Sequence, residues 1–449
     1  MKNRIFRNSS KSSNISRRFI LQSFALLPFI TINSDAKTQT DDEKRVQAEM
    51  VIIVGATLAG VTLAQKIKKK SPSNIVKIIQ TDPNESSYLA GLNLVAIGLW
   101  SFKELFFSDT LKNIDIIQSN IKQYIPNENK IIIGTQESVS YDKLIIAKEP
   151  LLQYILKKDF SPFSRETCID FFDSNTCSAF YMAGAKKTYK NFFAFIKKIK
   201  KETTTQKHKI LFFHPKTSNV SSHVSLELLF LFYMIIKKEK LEDKVKFEYY
   251  TAESKLFRVE KYNNVFLKEF TNKNIDLFLD HNLIEVNYEK QLAIFNKKES
   301  SRSEKVEFKY NFLHIAPSFA MDQEMKEAGL VQKNNFIDLK TQTLEHSQYS
   351  NIYAIGNAVA VSTYNSLSLK NQCDYILQSL YKKKTKRETK IFSDHSFYPM
   401  LVDDSKGISL EYNNFFKVQP RLQLKVTEKR WIWWLSRIYF TKYFYKFFS

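Results

Sequence analysis

The hydrophobic pattern of this chain changes period again and again, from short apolar runs to helical faces and back. Val51–Val54 is a continuous apolar run closed by Gly55, which predicts a short buried parallel strand. In the following VTLAQKIKKK, Val61, Leu63, Ala64 and Ile67 share one helical face and the lysines take the other. A second strand pattern, Ile75–Gln80, completes a β-α-β unit. Leu92–Trp100 reads as a helix or turn, and Ile114–Ile117, Lys130–Ile133 and Leu144–Ala147 read as further strands. The pattern from Leu151 to Phe180 is irregular. Then an amphipathic helix at Tyr189–Lys201, a strand at Lys209–Phe213, an apolar helix at Val224–Lys238 and a strand at Val245–Tyr250 repeat the β-α-β theme. Strand signals return at Ile284–Asn287, Leu292–Phe295, Lys305–Phe308, Phe312–Pro317 and Asn351–Ala358, and a helix carrying Cys373, Ile376, Leu377 and Leu380 follows. This alternation predicts an α/β protein with two Rossmann-like domains.

The first strand-to-helix connection is the candidate ligand turn. Its sequence is Gly55-Ala56-Thr57-Leu58-Ala59-Gly60. Strand, glycine turn and helix form the setting in which a dinucleotide's pyrophosphate meets a helix N-terminus. The chain has nine glycines, and two fall in this loop. Thr57 occupies the position where a glycine lets the backbone approach the phosphates. The residue ending the second strand is usually acidic and binds ribose hydroxyls; here it is Gln80, with Asp82 two residues on. The alternative is an α/β domain that binds no nucleotide. The corresponding loop of the second unit, HPKTSNVSS, has no glycine, so close approach of a second dinucleotide is not expected there.

Composition adds two constraints. With 449 residues, 43% of them hydrophobic, the chain can bury several cores. Its net charge is +22, but the basic residues are interspersed with acids and no nucleic-acid motif accompanies them. Nucleic acid is therefore not an expected partner; an acidic protein or an anionic membrane surface suits the charge. Residues 1–36 read as a leader. Lys2, Arg4, Arg7, Lys11, Arg17 and Arg18 precede the apolar Phe19–Ile32 and a small-residue site at Ser34-Asp35-Ala36. Arg17-Arg18 with its flanks resembles a twin-arginine export signal, which predicts a periplasmic protein; an uncleaved anchor or a basic tail with an accidental Arg-Arg pair is the alternative. In an oxidising compartment Cys168 and Cys177 could bridge, leaving Cys373 as a buried thiol. The spacing of His208, His214 and His223 matches no common zinc motif, and no metal is expected. The tail Lys429–Ser449 has five basic residues, no acid, and Trp431, Trp434, Leu435 and Ile438 at helical spacing. It can pack on the body of the protein or lie on an anionic membrane.

The order of these segments resembles the flavoprotein disulfide reductase superfamily. More narrowly it resembles the flavoprotein subunit of flavocytochrome c sulfide dehydrogenase, a cousin of the sulfide:quinone reductases. The resemblance runs through Val54–Gly60 and the following helix and strand, Tyr88-Leu89, Tyr141–Ala147, Ile352–Ala358 (IYAIGNA) and Phe397–Val418. It implies a signal peptide at 1–36, a linker at 37–48, and an FAD-binding domain in two parts, 49–160 and 286–385. A second nucleotide-fold domain would span 161–285, and a small α+β C-terminal domain of the family's type, with the basic aromatic tail, 386–449. The implied activity is oxidation of a reduced sulfur compound, with electrons passing through FAD to a c-type cytochrome subunit. The alternatives are a catalytically degenerate binding or scaffold partner and a membrane-surface sulfide:quinone reductase. FAD would rest on Gly55, Ala56, Thr57, Gly60, Gln80, Ser87, Ala147, Gly356 and Asn357. Ser87 stands where the family attaches FAD covalently, so the FAD expected here is non-covalent. Ser221 and Asn335 stand at the positions of the redox cysteines. Asn357 replaces the aspartate that binds the ribityl or phosphate part, and Lys148-Glu149 replace the small residues usual after Ala147. Glu227 matches an acid near the sulfide site, as a candidate base or as a plain helix-surface glutamate. A serine cannot form a persulfide or exchange with a disulfide.

Overall fold

The computed structural model describes residues 48–440 apart from 83–88, 107–113, 157–158, 164–171, 204, 218–221, 300–301, 361–365, 382–391, 394, 414 and 421–423. The leader at 1–36, Ser87, Cys168, Ser221 and the lysine run 382–384 lie outside the described residues.

Two parallel five-stranded sheets form the framework. In the first, Met50–Val54 lies at the centre. Ile75–Gln80 and then Asp115–Gln118 extend it on one side, and Lys143–Ile146 and then Ile352–Ala354 on the other. The central strand is fully buried from Val51 to Val54, which is why its sequence is a continuous apolar run rather than an alternating one. The Leu58–Lys70 helix follows it, burying Val61, Leu63, Ala64 and Ile67 and exposing lysines in its last turn. The Ser366–Tyr381 helix packs in the same core, with Cys373 and Ile376 fully buried.

The second sheet is wound the same way. His208–His214 is flanked by Val245–Thr251 and Asp276–Phe278 on one side and by Phe312–Ile315 and Thr176–Cys177 on the other. The two-Rossmann α/β prediction therefore holds. Each unit also carries a three-stranded antiparallel meander before its returning strand: Ile121–Ile125, Lys130–Ile133 and Glu137–Ser140 in the first, His281–Asn287, Leu292–Glu299 and Arg302–Lys309 in the second. The strand patterns from Ile284 to Phe308, expected in the returning part of the first domain, instead pair with one another and pack with Phe213 and Tyr250 of the second sheet. Phe312–Ile315 pairs with His208–His214. Apolar alternation finds these strands but cannot say which sheet edge they complete.

Two other segments depart from expectation. The irregular stretch after Leu151 contains a hairpin, Leu151–Leu156 with Asp159–Phe163, joined by Ser318–Ala320. The helix predicted from Tyr189 begins at Met182, because Ala183, Gly184 and Ala185 are small enough to pack there while giving no clear apolar period. At the C-terminal end, His395–Asp403 and Lys406–Asn413 form an antiparallel hairpin. It shares a core with the Ser222–Lys238 helix and with Leu92–Leu105. The tail turns helical at Trp431–Leu435 and continues as a wider turn through Ser436–Phe440. Among the described residues, no helix is long and apolar enough to cross a membrane.

Candidate functional site

The carboxyl edge of the first sheet gathers most of the residues expected to hold a dinucleotide. Gly55 has φ +109°, and a Cβ there would stand 2.8 Å from the Lys148 backbone. A Cβ on Gly60 would stand 2.1 Å from the Gly55 carbonyl oxygen, so helix and strand approach too closely for any side chain. Ala56 is fully buried.

Thr57 is not the defect that the glycine pattern suggests. Its hydroxyl donates to the Ala147 carbonyl at 2.7 Å and accepts from the Gly60 amide at 3.3 Å. It is the N-cap of the Leu58–Lys70 helix, with extended backbone and an almost wholly buried side chain turned into the protein. The helix has no acid in its first turn and three lysines in its last. Its positive end is therefore left for an anion at the turn.

On one side of this turn lies Gln80, buried at the end of its strand and paired in register with Gln118. On the other side lies Ala147, whose amide bonds to the Val54 carbonyl. Beyond it, Gly356 has φ +71°, and a Cβ there would stand 2.9 Å from the Ala59 methyl. Its amide donates to Gln372 Oε1 at 2.7 Å. Asn357 donates through Nδ2 to both oxygens of Glu149, at 2.7 and 2.8 Å. Lys148 pairs with Asp322 at 2.5 Å, both side chains largely buried.

Two positions stand where the resembled family has its redox cysteines. Ser221 is outside the described residues. Asn335 lies in the loop that the Ile337 amide joins to the Ala358 carbonyl at 3.4 Å, so it stands beside the Gly356 turn. Its φ is +67°, a left-handed conformation that asparagine tolerates better than most residues. Its amide and carbonyl bond Gln332 and Met321. Neither Cys177 nor Cys373 replaces the missing pair. Cys177 is buried in the second sheet opposite His314. Cys373 lies in the core of the first unit, where burial pushes its thiol up to about 12.

Glu227 is neither a surface glutamate nor an available base. It is fully buried. Arg437 Nε and Nη2 each donate to its carboxylate at 2.8 Å, joined by the Tyr398 hydroxyl at 2.8 Å, Asn93 Nδ2 at 3.1 Å and the Leu401 amide at 3.3 Å. Burial alone would raise its pKa; the Arg437 charge and these bonds outweigh burial and hold the carboxyl below its ordinary value. A carboxylate so stabilised is a poor proton acceptor. Arg437, which the sequence reading left within a basic aromatic tail, also donates to the Ala90 carbonyl and lies 5.0 Å from the centre of the Tyr398 ring. The Trp100 indole donates to the Ile438 carbonyl at 3.2 Å. The tail as far as Ile438 is thus packed on the body, with Trp431 and Tyr439 still exposed.

Of the three histidines whose spacing matched no zinc motif, His214 and His223 are buried and His208 is half-buried. His214 and His314 are both pushed down to about 3, mainly by burial, and stay neutral. Among the described residues, no group of His, Cys, Asp and Glu could hold a metal ion.

No family model matches the chain. Curated relatives do. The mitochondrial sulfide:quinone oxidoreductase of Dictyostelium discoideum is 22% identical over 90% of this chain and 88% of that protein. That of Mus musculus is 23% identical over 82% and 79%. Among solved structures, the sulfide:quinone oxidoreductase of Aquifex aeolicus superposes with a TM-score of 0.67 at 15% identity, covering 89% of this chain and 90% of that one. A chain of the Tetrahymena thermophila mitochondrial ATP synthase superposes with a TM-score of 0.69 at 16% identity, covering 92% and 98%. By sequence and fold, this chain is similar at low identity to the sulfide:quinone oxidoreductases, and it has the Rossmann-type fold of FAD- and NAD(P)-binding oxidoreductases.

Proposed function

We propose that this chain binds FAD without covalent attachment, has lost the sulfide chemistry of its relatives, and serves as a binding subunit of a larger assembly. The observation that carries this reading is the fate of the cysteines. The chain has three, none at positions 221 or 335, and the two that are described are buried in separate cores. Sulfide oxidation through a redox disulfide needs two thiols that can meet beside the flavin. Serine and asparagine cannot supply them.

The residues present fit FAD at the nucleotide end. Gly55, Gly60 and Gly356 let strand, turn and helix close up where any Cβ would clash, as a dinucleotide turn requires, and the uncompensated helix N-terminus suits a pyrophosphate. Gln80 lies where adenosine hydroxyls are bound in this fold. When bound, the flavin supplies two-electron redox chemistry. The protein's own part is to hold the phosphates on backbone amides and to exclude water with the buried strand ends.

The assembly role is supported by the match over nearly the full length of a chain in the Tetrahymena thermophila ATP synthase structure. It is also supported by a tail that is locked on the body while leaving Trp431, Ile432 and Tyr439 exposed. That face suits a protein partner or an anionic membrane surface. The curated relatives are mitochondrial by name, and a basic, acid-poor leader suits organelle import as well as twin-arginine export. A second reading is favoured by those relatives: an FAD oxidoreductase that takes electrons from another donor and passes them to a quinone or a c-type cytochrome.

Native separation of membranes from the source cells, with the chain followed by antibody and flavin by fluorescence, tests the proposal. Migration of chain and flavin with a large complex is expected. A chain that migrates alone contradicts the assembly role.

A further inference from the structure

We infer that Glu149 is the acidic binding residue for the ribityl hydroxyls of the flavin nucleotide, held in position by Asn357. The inference rests on the reading that the first sheet holds FAD. Its basis is the pairing of two side chains at the carboxyl ends of neighbouring strands. Glu149 follows Lys143–Ile146, and Asn357 follows Ile352–Ala354, the strand paired with it in parallel. Ligands of open α/β sheets bind outside those ends.

The order of strands says which part of the ligand each group meets. The glycine turn follows the central strand. Gln80 ends the neighbour on one side, and Glu149 and Asn357 end the neighbours on the other. A dinucleotide laid across this edge with its phosphates on the helix N-terminus puts its adenosine by Gln80 and its flavin half by Glu149. The chemistry agrees. A carboxylate repels phosphate but accepts hydroxyl donors, and its two oxygens offer about four acceptor positions, enough to serve Asn357 and further donors. Charge-assisted bonds of this kind are the stronger class.

The neighbours aim the acid. Asn357 donates to both of its oxygens. The adjacent Lys148 is committed to Asp322. An aspartate at 357 beside Glu149 would put two like charges together and raise the pKa of one. An amide there makes the pair compatible. In this chain the acid stands at 149 and the amide at 357, and the pair works as one unit.

The test measures equilibrium binding of FAD and, separately, of ADP, which has no ribityl chain, to the full-length protein freed of flavin. The variants are Glu149→Ala, Glu149→Gln, Asn357→Asp and the swap Glu149→Gln with Asn357→Asp, each checked for native fold by circular dichroism. Loss of a charged hydrogen-bond acceptor weakens FAD binding by about tenfold or more. Both Glu149 variants should show this with ADP affinity unchanged, Asn357→Asp should also weaken FAD, and the swap should recover most of the loss. Glu149→Gln, nearly isosteric, carries the test should Glu149→Ala not fold. FAD affinity unchanged in both Glu149 variants, or FAD and ADP weakened equally, overturns the inference and leaves the FAD reading intact. Wild-type protein that binds neither ligand overturns the FAD reading, and the inference with it.

Discussion

Replacing Arg437 by alanine leaves the Glu227 carboxylate buried without its partner. In the native protein both side chains are fully buried and meet at 2.8 Å. At an effective dielectric of ~20 that separation corresponds to an attraction of about 6 kcal/mol. Removing two ions from water costs several kcal/mol each, so the intact pair is close to neutral against an uncharged equivalent. Breaking it is different, because one desolvation cost stays and the attraction goes. Arg437→Ala should therefore destabilise by roughly 3–5 kcal/mol. Glu227→Gln, which keeps shape but strands the guanidinium, should fall in the same range. The double variant Glu227→Gln, Arg437→Gln removes both charges and keeps hydrogen-bonding groups for Tyr398, Asn93 and Ala90, so it should be more stable than either single change. The assay is unusually local. All four tryptophans, Trp100, Trp431, Trp433 and Trp434, lie in or against this tail, and the Trp100 indole bonds to Ile438. Urea titration followed by tryptophan emission reads the lock directly, with trypsin cleavage near Lys429 and Arg430 as a second probe. The pH dependence has a defined sign. The Glu227 pKa is held below its ordinary value of 4.5, so its contribution is fully present above that pH and is lost as pH falls through the lower, folded value. Tail release on acidification should be steeper in the wild type than in the double variant. An Arg437→Ala protein within about 1 kcal/mol of wild type, with unchanged tryptophan emission, would refute this reasoning.

Three further outcomes are expected. Thr57→Ala removes the helix cap and the bond to Ala147 and should cost about 1 kcal/mol by chemical denaturation. Gly55→Ala forces a side chain into φ +109° against Lys148 and should lower both the melting temperature and the retained flavin, with a cost of about 1–3 kcal/mol. Native protein should leave Cys373 unlabelled by a thiol reagent at pH 8 while unfolded protein labels it, since burial keeps the thiol protonated until about pH 12; mass spectrometry of the labelled peptide reads the result.

The fold was legible because its signals are local. Val51–Val54, the lysine-backed helix after it and the second β-α-β unit each state their element within a few residues. The owner of a strand was not legible: Phe312–Ile315 has the apolar pattern of any buried strand, and only pairing with His208–His214 assigns it. In the site, the glycine turn was legible as a turn, but the role of Thr57 as its cap was not, because a single sequence does not show where a hydroxyl points. Glu227 was placed among candidate bases because it matches an acid near the family's sulfide site, and its partner lies 210 residues away in the tail. No spacing rule connects two such positions. Lys148 and Glu149 were visible as departures after Ala147, but their partners Asp322 and Asn357 come from distant segments.

The central claim is that the chain keeps the flavin fold without cysteine-based sulfide chemistry. The absorption spectrum of the purified full-length protein, recorded anaerobically before and after sulfide in the presence of a quinone or cytochrome c, tests it most directly. The account predicts flavin bands that acid precipitation releases into solution and that sulfide does not bleach. Bleaching by sulfide with reduction of the acceptor would contradict the loss of sulfide chemistry. A colourless protein that takes up no FAD would contradict the retained flavin.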